Sequence, residues 1–562
     1  MRREVSVVNK KVCSFPILFA LLALLIGTCA VVCPASAQAA PTSTGSITVS
    51  GTVASSYDAY QIFSANVVDG DNDAKIATDL AWASDDVHDA ALPVLHSAGM
   101  PKSQTTAQEA AEWLNADSHL TSALSAQLAR SLQSSGAVSV ALNAGTTAEL
   151  PCGYWLIVAD DDAIAQDQAG TAPIMALVGG GAVTVKPKAA TPKVSKRVLE
   201  DGTAAWQKAA DATVGDDLYW RLSATVPAGL SAYDAYTVQF VDTMGAGLDP
   251  SRVAASMRVY AAAGADGGFD AVPVGKDGRA GTEPAKGWTD ITAQCATKVA
   301  ADGTFTVRTG DLIAALGGAD AFAAGARVVA VYDAPLNGAC NHGIAKGNPN
   351  EVYLRYPRSP LADQSGAAGF TRTPSDDATA YTWDLALTKR GSDGDKPLPG
   401  AVLSITDDRG RTLAADGTWD AEGKATVTTG EDGRVTVSGV DSGKLEIREL
   451  KAPKGYTAFK GTCSVTVKAD GLDVKQVAAA KPKLTITAES PLRADSADGS
   501  TGSLEASLIN TPTGTPPSIT TGGFMPSTGD MAMYAAAAAA VAGAALIVVA
   551  LLVKRGGGSH KE

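Results

Sequence analysis

The sequence predicts a mainly β protein of three tandem β-sandwich domains, the first of which carries an α-helical insertion. Short runs of alternating apolar and polar residues, separated by turn-forming residues, recur along the chain and are typical of half-buried strands, as at residues 46–53. Helical patterning dominates about residues 75–134, where the capping box of Thr106 and Glu109 precedes leucines spaced four residues apart. The length of 562 residues is sufficient for several domains of ordinary size.

Both ends of the chain predict export and anchoring. Basic residues precede an apolar stretch at about residues 15–32 and a small-residue cleavage pattern, so residues 1–40 are predicted to be a secretory signal peptide. A second apolar run, about residues 531–553, is long enough to cross a bilayer as a helix, and the basic pair after it favours a cytoplasmic tail. The sequence therefore predicts an exported protein that is first held in the membrane.

The composition argues against several classes of function. The net charge is −13 and no polybasic segment lies between the two ends, which argues against nucleic acid as a partner. The acidic clusters at 69–73 and 160–162 lack the ligand spacing of a calcium loop, so we expect neither a metal nor a cofactor. Catalytic motifs of hydrolases and phosphate-binding loops are absent from the sequence, and we do not expect an enzyme.

A pentapeptide lies directly before the C-terminal apolar run. Its residues are Met525, Pro526, Ser527, Thr528 and Gly529. It resembles the LPxTG sorting signal of Gram-positive surface proteins, with Met in place of Leu. The resemblance implies that a sortase cuts between Thr528 and Gly529 and passes the Thr528 carbonyl to an amine. Residues 512–523, rich in Thr, Pro and Gly, would be a tether, and residues 524–562 the complete sorting signal.

Internal motifs resemble the backbone pilins that sortases assemble into fimbriae. Residues 56–63 and 153–157 resemble the N-terminal pilin domain. The Cna A-like middle domain is resembled by a set of four segments, residues 192–198, 214–222, 236–244 and 348–356. Residues 445–456 resemble the E-box of the Cna B-like domain. The resemblance implies immunoglobulin-like, Cna-type sandwiches whose predicted ranges are 41–190, 191–378 and 379–511.

The same resemblance implies one internal isopeptide bond in each of the last two domains. Matching motif to motif assigns Lys196, Asp242 and Asn350 to the middle domain and Lys389, Glu449 and Asn510 to the last. Asn348 is a second candidate acceptor. Burial favours a neutral lysine amine and a protonated carboxyl, which can polarise the asparagine amide and help ammonia to leave. Each domain would thus make its bond on itself, between its first and last strands, with Asp242 and Glu449 as catalytic groups.

A lysine near the end of the first domain resembles the pilin-motif lysine, which attacks the sortase thioester of the next subunit. Residues 183–188 carry this partial match and end at Lys188. A polymer needs an exposed amine at the end of a rigid strand, and Lys188 fits that requirement. Lys186 and Lys193 remain alternatives.

Four cysteines lie outside the predicted signal peptide. Cys295 and Cys340 share one predicted domain of an exported protein, so we expect a disulfide between them. Cys152 and Cys463 lie in different predicted domains, and we expect both to be buried thiols.

Together these resemblances imply a structural shaft subunit of a cell-wall-anchored fimbria with a role in adhesion. The implied partners are a pilus-type sortase, a housekeeping sortase, identical subunits, tip and basal pilins, and cell-wall peptidoglycan. The alternative is a monomeric wall-anchored adhesin that binds a host or bacterial ligand. The two hypotheses differ in the polymerising lysine, Lys188.

Overall fold

The computed structural model describes residues 43–71, 74–116, 118–188, 190–276 and 278–514. The predicted signal peptide, the sorting pentapeptide and the C-terminal apolar run lie outside the described residues. No helix within the described ranges is long and apolar enough to cross a membrane. The described part contains 32 strands and six α-helices, which confirms the predicted mainly β class.

The N-terminal region consists of two sheets and a helical insertion. Its strands are β1 (Thr44–Val49), β2 (Ser56–Asp69), β3 (Lys75–Trp82), β4 (Ser139–Asn143), β5 (Thr147–Pro151), β6 (Gly153–Ala159), β7 (Ile174–Val178) and β8 (Val183–Val185). One sheet has the order β5-β1-β8; the other has the order β3-β2-β6-β7, and β4 also pairs with β2. The helices are α1 (Asp85–Ser97), α2 (Ala107–Asn115) and α3 (Ser122–Ser135).

The helical insertion begins later than the sequence pattern predicts. The capping box before α2 is confirmed, because Thr106 Oγ1 accepts from the Glu109 amide at 3.3 Å and the Glu109 carboxylate accepts from the Thr106 amide at 3.0 Å. The prediction of helix at Lys75–Trp82 is wrong. These residues form strand β3, which pairs antiparallel with β2 from Lys75 opposite Asp69 to Trp82 opposite Phe63.

The middle region is a sandwich of two larger sheets. Its strands are β9 (Lys193–Glu200), β10 (Ala205–Gln207), β11 (Ala209–Asp211), β12 (Tyr219–Val226), β13 (Gln239–Met244), β14 (Arg258–Ala263), β15 (Thr289–Asp290), β16 (Ala296–Val299), β17 (Thr304–Arg308), β18 (Ala326–Asp333), β19 (Asn348–Pro357), β20 (Phe370–Arg372) and β21 (Asp376–Tyr381). The first sheet has the order β10-β9-β12-β18-β14-β15. The second has the order β11-β21-β19-β13-β17-β16, with β20 beside β19. Three single-turn helices are α4 (Val253–Ser256), α5 (Leu312–Ala315) and α6 (Ala319–Phe322).

The C-terminal region is a second two-sheet sandwich. Its strands are β22 (Trp383–Gly391), β23 (Val402–Thr406), β24 (Thr412–Leu413), β25 (Trp419–Asp420), β26 (Val427–Thr428), β27 (Arg434–Val440), β28 (Gly443–Lys451), β29 (Thr462–Asp470), β30 (Lys483–Ala488), β31 (Leu492–Asp498) and β32 (Ser503–Asn510). One sheet has the order β27-β22-β32-β31. The other has the order β25-β24-β23-β28-β29-β30, and β26 also pairs with β23. The first and last strands, β22 and β32, are parallel neighbours.

The predicted disulfide between Cys295 and Cys340 is wrong, since both residues are free thiols in the structure. Cys295 directly precedes β16. The first residue of β16 pairs with Arg308 of β17, which also pairs with the first residue of β13, so Cys295 lies at the end of the sheet where β13 begins. The backbone of Cys340 lies against Gly247, beyond the other end of β13. The six residues of β13 extend over roughly 17–20 Å. The two cysteines therefore lie much farther apart than the ~7 Å between Cα atoms that a disulfide can bridge. Cys152 and Cys463 are buried thiols, as predicted.

Candidate functional sites

The first candidate site lies between the two sheets of the C-terminal sandwich. Lys389 on β22 stands opposite Leu508 of β32, so Asn510, two residues further along, projects from the same face. Glu449 lies on β28 in the opposite sheet, where it pairs with Leu403. The three side chains therefore reach the same point in the core from three different strands.

Hydrogen bonds join these three side chains into one group. Lys389 Nζ donates to the side-chain oxygen of Asn510, and it lies 3.4 Å from Glu449 Oε1. Asn510 Nδ2 donates to both carboxyl oxygens of Glu449, at 2.8 and 3.1 Å. Glu449 Oε2 also accepts from the Phe459 amide at 2.6 Å, which fixes the carboxyl in place.

Burial prepares the C-terminal group for reaction. The side chains of Lys389 and Glu449 are fully inaccessible to solvent. Desolvation lowers the pKa of Lys389 from 10.5 to about 8, although the nearby Glu449 opposes this shift. A larger fraction of this amine is therefore neutral at physiological pH, and only the neutral amine has the lone pair needed to attack the Asn510 amide carbon.

The second candidate site bridges the two sheets of the middle sandwich. Lys196 projects from β9 in the first sheet, and Asp242 projects from β13 in the second. Asn350 on β19 stands opposite Met244, so it is the diagonal neighbour of Asp242 on the same face. All three residues are 0% exposed.

A tyrosine that the motif comparison did not single out completes this second group. Lys196 Nζ donates to Asp242 Oδ2 and also, at 2.9 Å, to the hydroxyl of Tyr332 on β18. Asn350 Nδ2 donates to the same hydroxyl at 2.9 Å. Tyr332 in turn donates to Asp242 Oδ2 at 3.3 Å. The Tyr332 hydroxyl thus contacts both nitrogens that an amide exchange between Lys196 and Asn350 would involve.

Both charged members of the middle group are shifted toward their neutral forms. Burial lowers the pKa of Lys196 to about 8 and raises the pKa of Asp242 to about 6, while each residue's charge opposes the shift of the other. Asp242 Oδ1 and Asn350 Oδ1 are buried without a hydrogen-bond partner among the described residues. A proton on Asp242 Oδ1 would turn that atom into a donor, and a hydrogen bond from it to the asparagine carbonyl would make the amide carbon more electrophilic.

The alternative acceptor Asn348 is engaged elsewhere. Its Nδ2 donates to the backbone carbonyls of Asn341 at 2.9 Å and Ala380 at 3.2 Å, and its Oδ1 accepts from the Asn341 amide. These contacts stabilise the start of β19, and they favour Asn350 over Asn348 as the partner of Lys196.

The two groups differ in which strands of their sandwiches carry the lysine and the asparagine. In the C-terminal region Lys389 and Asn510 lie on the first and last strands, as the sequence suggests. In the middle region the prediction of a link between first and last strands is wrong. Asn350 lies on β19, and β20 and β21 follow it, with β21 closing the second sheet beside β19.

The candidate polymerising lysine lies in the connection between the N-terminal and middle regions. Lys188 is exposed, three residues after β8, which pairs in parallel with β1. Lys186 is also exposed, immediately after the strand. Lys193 is exposed as well, but it is the first residue of β9 and pairs with Thr225 of β12.

Comparison with known proteins gives matches to Gram-positive surface proteins. Residues 384–481 match the family model described as SpaA, prealbumin-like fold domain, a stretch that includes Lys389 and Glu449 and ends before Asn510. The chain is 30% identical over 129 residues to the trypsin-resistant surface T6 protein of Streptococcus pyogenes serotype M6. That alignment covers 22% of this chain and 22% of the T6 protein.

Solved structures of pilins also align with the chain. The T6 backbone pilin of serotype M6 Streptococcus pyogenes is 17% identical, with 84% of this chain and 98% of that chain covered and a TM-score of 0.44. The full-length major pilin SpaD of Corynebacterium diphtheriae is 15% identical, with 84% and 100% covered and a TM-score of 0.41. The SpaA-domain match and the T6 similarity agree with the resemblance to backbone pilins that the motifs suggest, and each covers less than half of this chain.

Proposed function

We propose that this protein is the shaft subunit of a cell-wall-anchored fimbria, stabilised by two isopeptide bonds that the chain makes within itself. The observation that carries the proposal is the pair of buried lysine, carboxyl and asparagine groups. Burying a lysine together with a carboxyl costs desolvation energy that their mutual attraction offsets only in part, so two such pairs, each facing an asparagine amide, are difficult to explain as simple packing. The class of the C-terminal domain match supports the same function.

The proposed reaction is the same in both groups. The neutral lysine nitrogen attacks the asparagine Cγ, the Cγ–Nδ2 bond breaks, and Nδ2 leaves as ammonia with the proton that the lysine gives up. Asp242 and Glu449 polarise the amide and carry protons, so no external enzyme is needed. Each group reacts once, and the protein is otherwise structural.

The links would resist mechanical extension. A pull on the C-terminal region acts on the ends of β22 and β32, which are parallel neighbours joined in the proposal by Lys389 and Asn510. A covalent bond there carries tension that backbone hydrogen bonds would otherwise bear alone.

The three regions, each with its own sheets, are proposed to be the domains 41–190, 191–378 and 379–511.

Polymerisation is proposed to join Thr528 of one subunit to Lys188 of the next. Exposure of Lys188 and its place between two folded regions support this choice over Lys193, which is held in a strand. A pilus-type sortase would make each intersubunit bond, and a housekeeping sortase would attach the finished polymer to peptidoglycan. Tip and basal pilins are further proposed partners, and the precursor would be held in the membrane before assembly.

Immunoblotting of boiled cell-wall extract from the producing bacterium tests this function. A covalent polymer gives a ladder of high-mass bands that survives boiling in detergent and reductant. Thr528→Ala should abolish the ladder and leave the subunit in the membrane fraction, because the sortase then lacks its cleavage site. A single wall-linked band from the native protein would instead support the monomeric adhesin.

A further inference from the structure

We propose that Tyr332 is a catalytic residue of the middle group, which passes a proton between the attacking nitrogen of Lys196 and the leaving nitrogen of Asn350. This inference rests on the proposed isopeptide function and adds a fourth reacting side chain to one of its two sites. A difference between the middle group and the C-terminal group of the same chain supports the inference.

The difference lies in what contacts the leaving nitrogen. In the C-terminal group Asn510 Nδ2 donates to both oxygens of Glu449, so one carboxyl lies next to the amine and to the leaving group. In the middle group the acid is an aspartate, one methylene shorter. Among the described residues the hydrogen-bond partner of Asn350 Nδ2 is Tyr332, at 2.9 Å. The phenol thus accepts from the leaving nitrogen in the middle group, as the Glu449 carboxyl does in the other sandwich.

The position of Tyr332 is fixed by its surroundings. Its side chain is fully buried, and its ring packs edge-on against Phe305 with centroids 4.8 Å apart. Tyr332 stands opposite Trp220 in the sheet, while Lys196 stands opposite Leu222 two residues further along the same strand. This register directs the phenol and the amine to the same face, so the hydroxyl reaches Lys196 and Asn350 without rearrangement.

The proposed proton relay, in which Tyr332 accepts a proton from Lys196 and gives its own to Asn350, is balanced in atoms and charge. As the Lys196 Nζ–Cγ bond forms, Nζ gives a proton to the Tyr332 oxygen, and the Tyr332 hydroxyl gives its own proton to Nδ2. The Cγ–Nδ2 bond then breaks, ammonia leaves, and the phenol is regenerated. A hydroxyl can rotate from Asp242 Oδ2 toward Nδ2 because its hydrogen is free to turn about the C–O bond. Burial raises the pKa of Tyr332 well above 10, so the phenol keeps a proton to donate.

The test follows cross-link formation in newly synthesised full chain. Peptide mapping at successive times measures the fraction of Asn350 joined to Lys196 and, independently, the fraction of Asn510 joined to Lys389. Tyr332→Phe should slow the middle link by about 100-fold, the low end of what a positioned proton-transfer group contributes. The C-terminal link should form at the native rate, and it reports that the C-terminal sandwich of the same chain has folded.

A matched control removes another buried hydroxyl from the same sheet. Tyr260 on β14 donates to the Thr282 carbonyl at 2.6 Å and lies outside the reacting group. Tyr260→Phe should leave the rate of the middle link unchanged. An equal rate in Tyr332→Phe and Tyr260→Phe overturns the role of Tyr332 and leaves the isopeptide function standing. A native chain that forms no middle link overturns both.

A shape-conserving variant covers the case in which Tyr332→Phe does not fold. Fluorinated tyrosine at position 332 keeps the ring and the hydroxyl but makes the phenol more acidic. Because the amide nitrogen must be protonated before it can leave, donation of the phenol proton to Nδ2 is expected to limit the rate, and a more acidic phenol should speed the middle link. A rate independent of fluorination, in a chain whose C-terminal link forms normally, contradicts the relay.

Discussion

The side-chain nitrogen of Lys389 donates to the side-chain oxygen of Asn510, a residue 121 positions later in the chain. The contact is made possible by the parallel pairing of β22 with β32, which brings the beginning and the end of the C-terminal sandwich together. A bond between these residues would close a loop that contains almost the whole domain.

Replacement of Glu449 should abolish this bond alone. In Glu449→Gln the amide can still hydrogen-bond Asn510, but it cannot carry the proton that the reaction must move. We expect intact mass spectrometry to find one ammonia more than in the native protein. Loss of a cross-link that closes so long a loop should lower the free energy of unfolding by roughly 4–5 kcal/mol, if it acts as a disulfide does.

The middle region provides the control for this experiment. Asp242→Asn should retain the ammonia of the middle group and leave the C-terminal link intact, so the two variants should give different cross-linked peptides. Formation of the Lys389–Asn510 link at the native level in Glu449→Gln would remove Glu449 from the reaction.

Much of this arrangement could be predicted from the sequence, because strand patterning and the E-box are local signals. The prediction of helix at Lys75–Trp82 is wrong because Ile76 and Leu80 are spaced four residues apart, as on a helix face, whereas pairing with β2 decides the conformation of this segment. Tyr332 has no local signal, since its role depends on the register of β18 against β12. The prediction of a disulfide between Cys295 and Cys340 is wrong for a related reason. Two residues of one domain can lie at opposite ends of a sheet, and the sequence does not say which end each residue occupies.

Lys188 should be the amine that joins subunits. Lys188→Ala should reduce the wall ladder to a monomer, because an exposed amine between two folded regions is lost. Lys186→Ala and Lys193→Ala are matched controls and should leave the ladder intact. Persistence of the ladder in Lys188→Ala, with its disappearance in one of the controls, would transfer the role to that neighbour.

A buried carboxyl cluster lies where the middle and C-terminal regions meet. Asp211 Oδ2 accepts from Trp383 Nε1 at 2.6 Å and from the Ser442 hydroxyl at 2.5 Å. Glu200 Oε2 accepts from the Asp211 amide at 3.1 Å. Burial and then the charge of Asp211 raise the pKa of Glu200 from 4.5 to about 9, and burial likewise raises the pKa of Asp211 and Asp441.

This cluster predicts that the junction weakens as the pH rises. The unfolded chain releases the Glu200 proton near pH 4.5, whereas the folded chain retains it to about pH 9. The folded state therefore binds more protons between these values, and the free energy of unfolding falls with increasing pH across that window. Calorimetry should show a lower melting temperature at the alkaline end.

Glu200→Gln supplies the comparison for the pH experiment. It removes one of the titrating groups and should flatten the pH dependence, whereas Glu149→Gln, which changes an exposed carboxyl on β5, should leave the native slope. A melting temperature that rises from pH 5 to pH 9 in the native protein would contradict the assignment.

The most direct test of the self-made cross-links is the intact mass of the exported part of the native chain, purified from a host without a sortase. We predict the plain sequence mass less two ammonias, with no further loss of hydrogen because Cys295 and Cys340 stay unpaired. The deficit should survive reductant and unfolding. A mass equal to that of the plain sequence would mean that neither group reacts and would contradict the account.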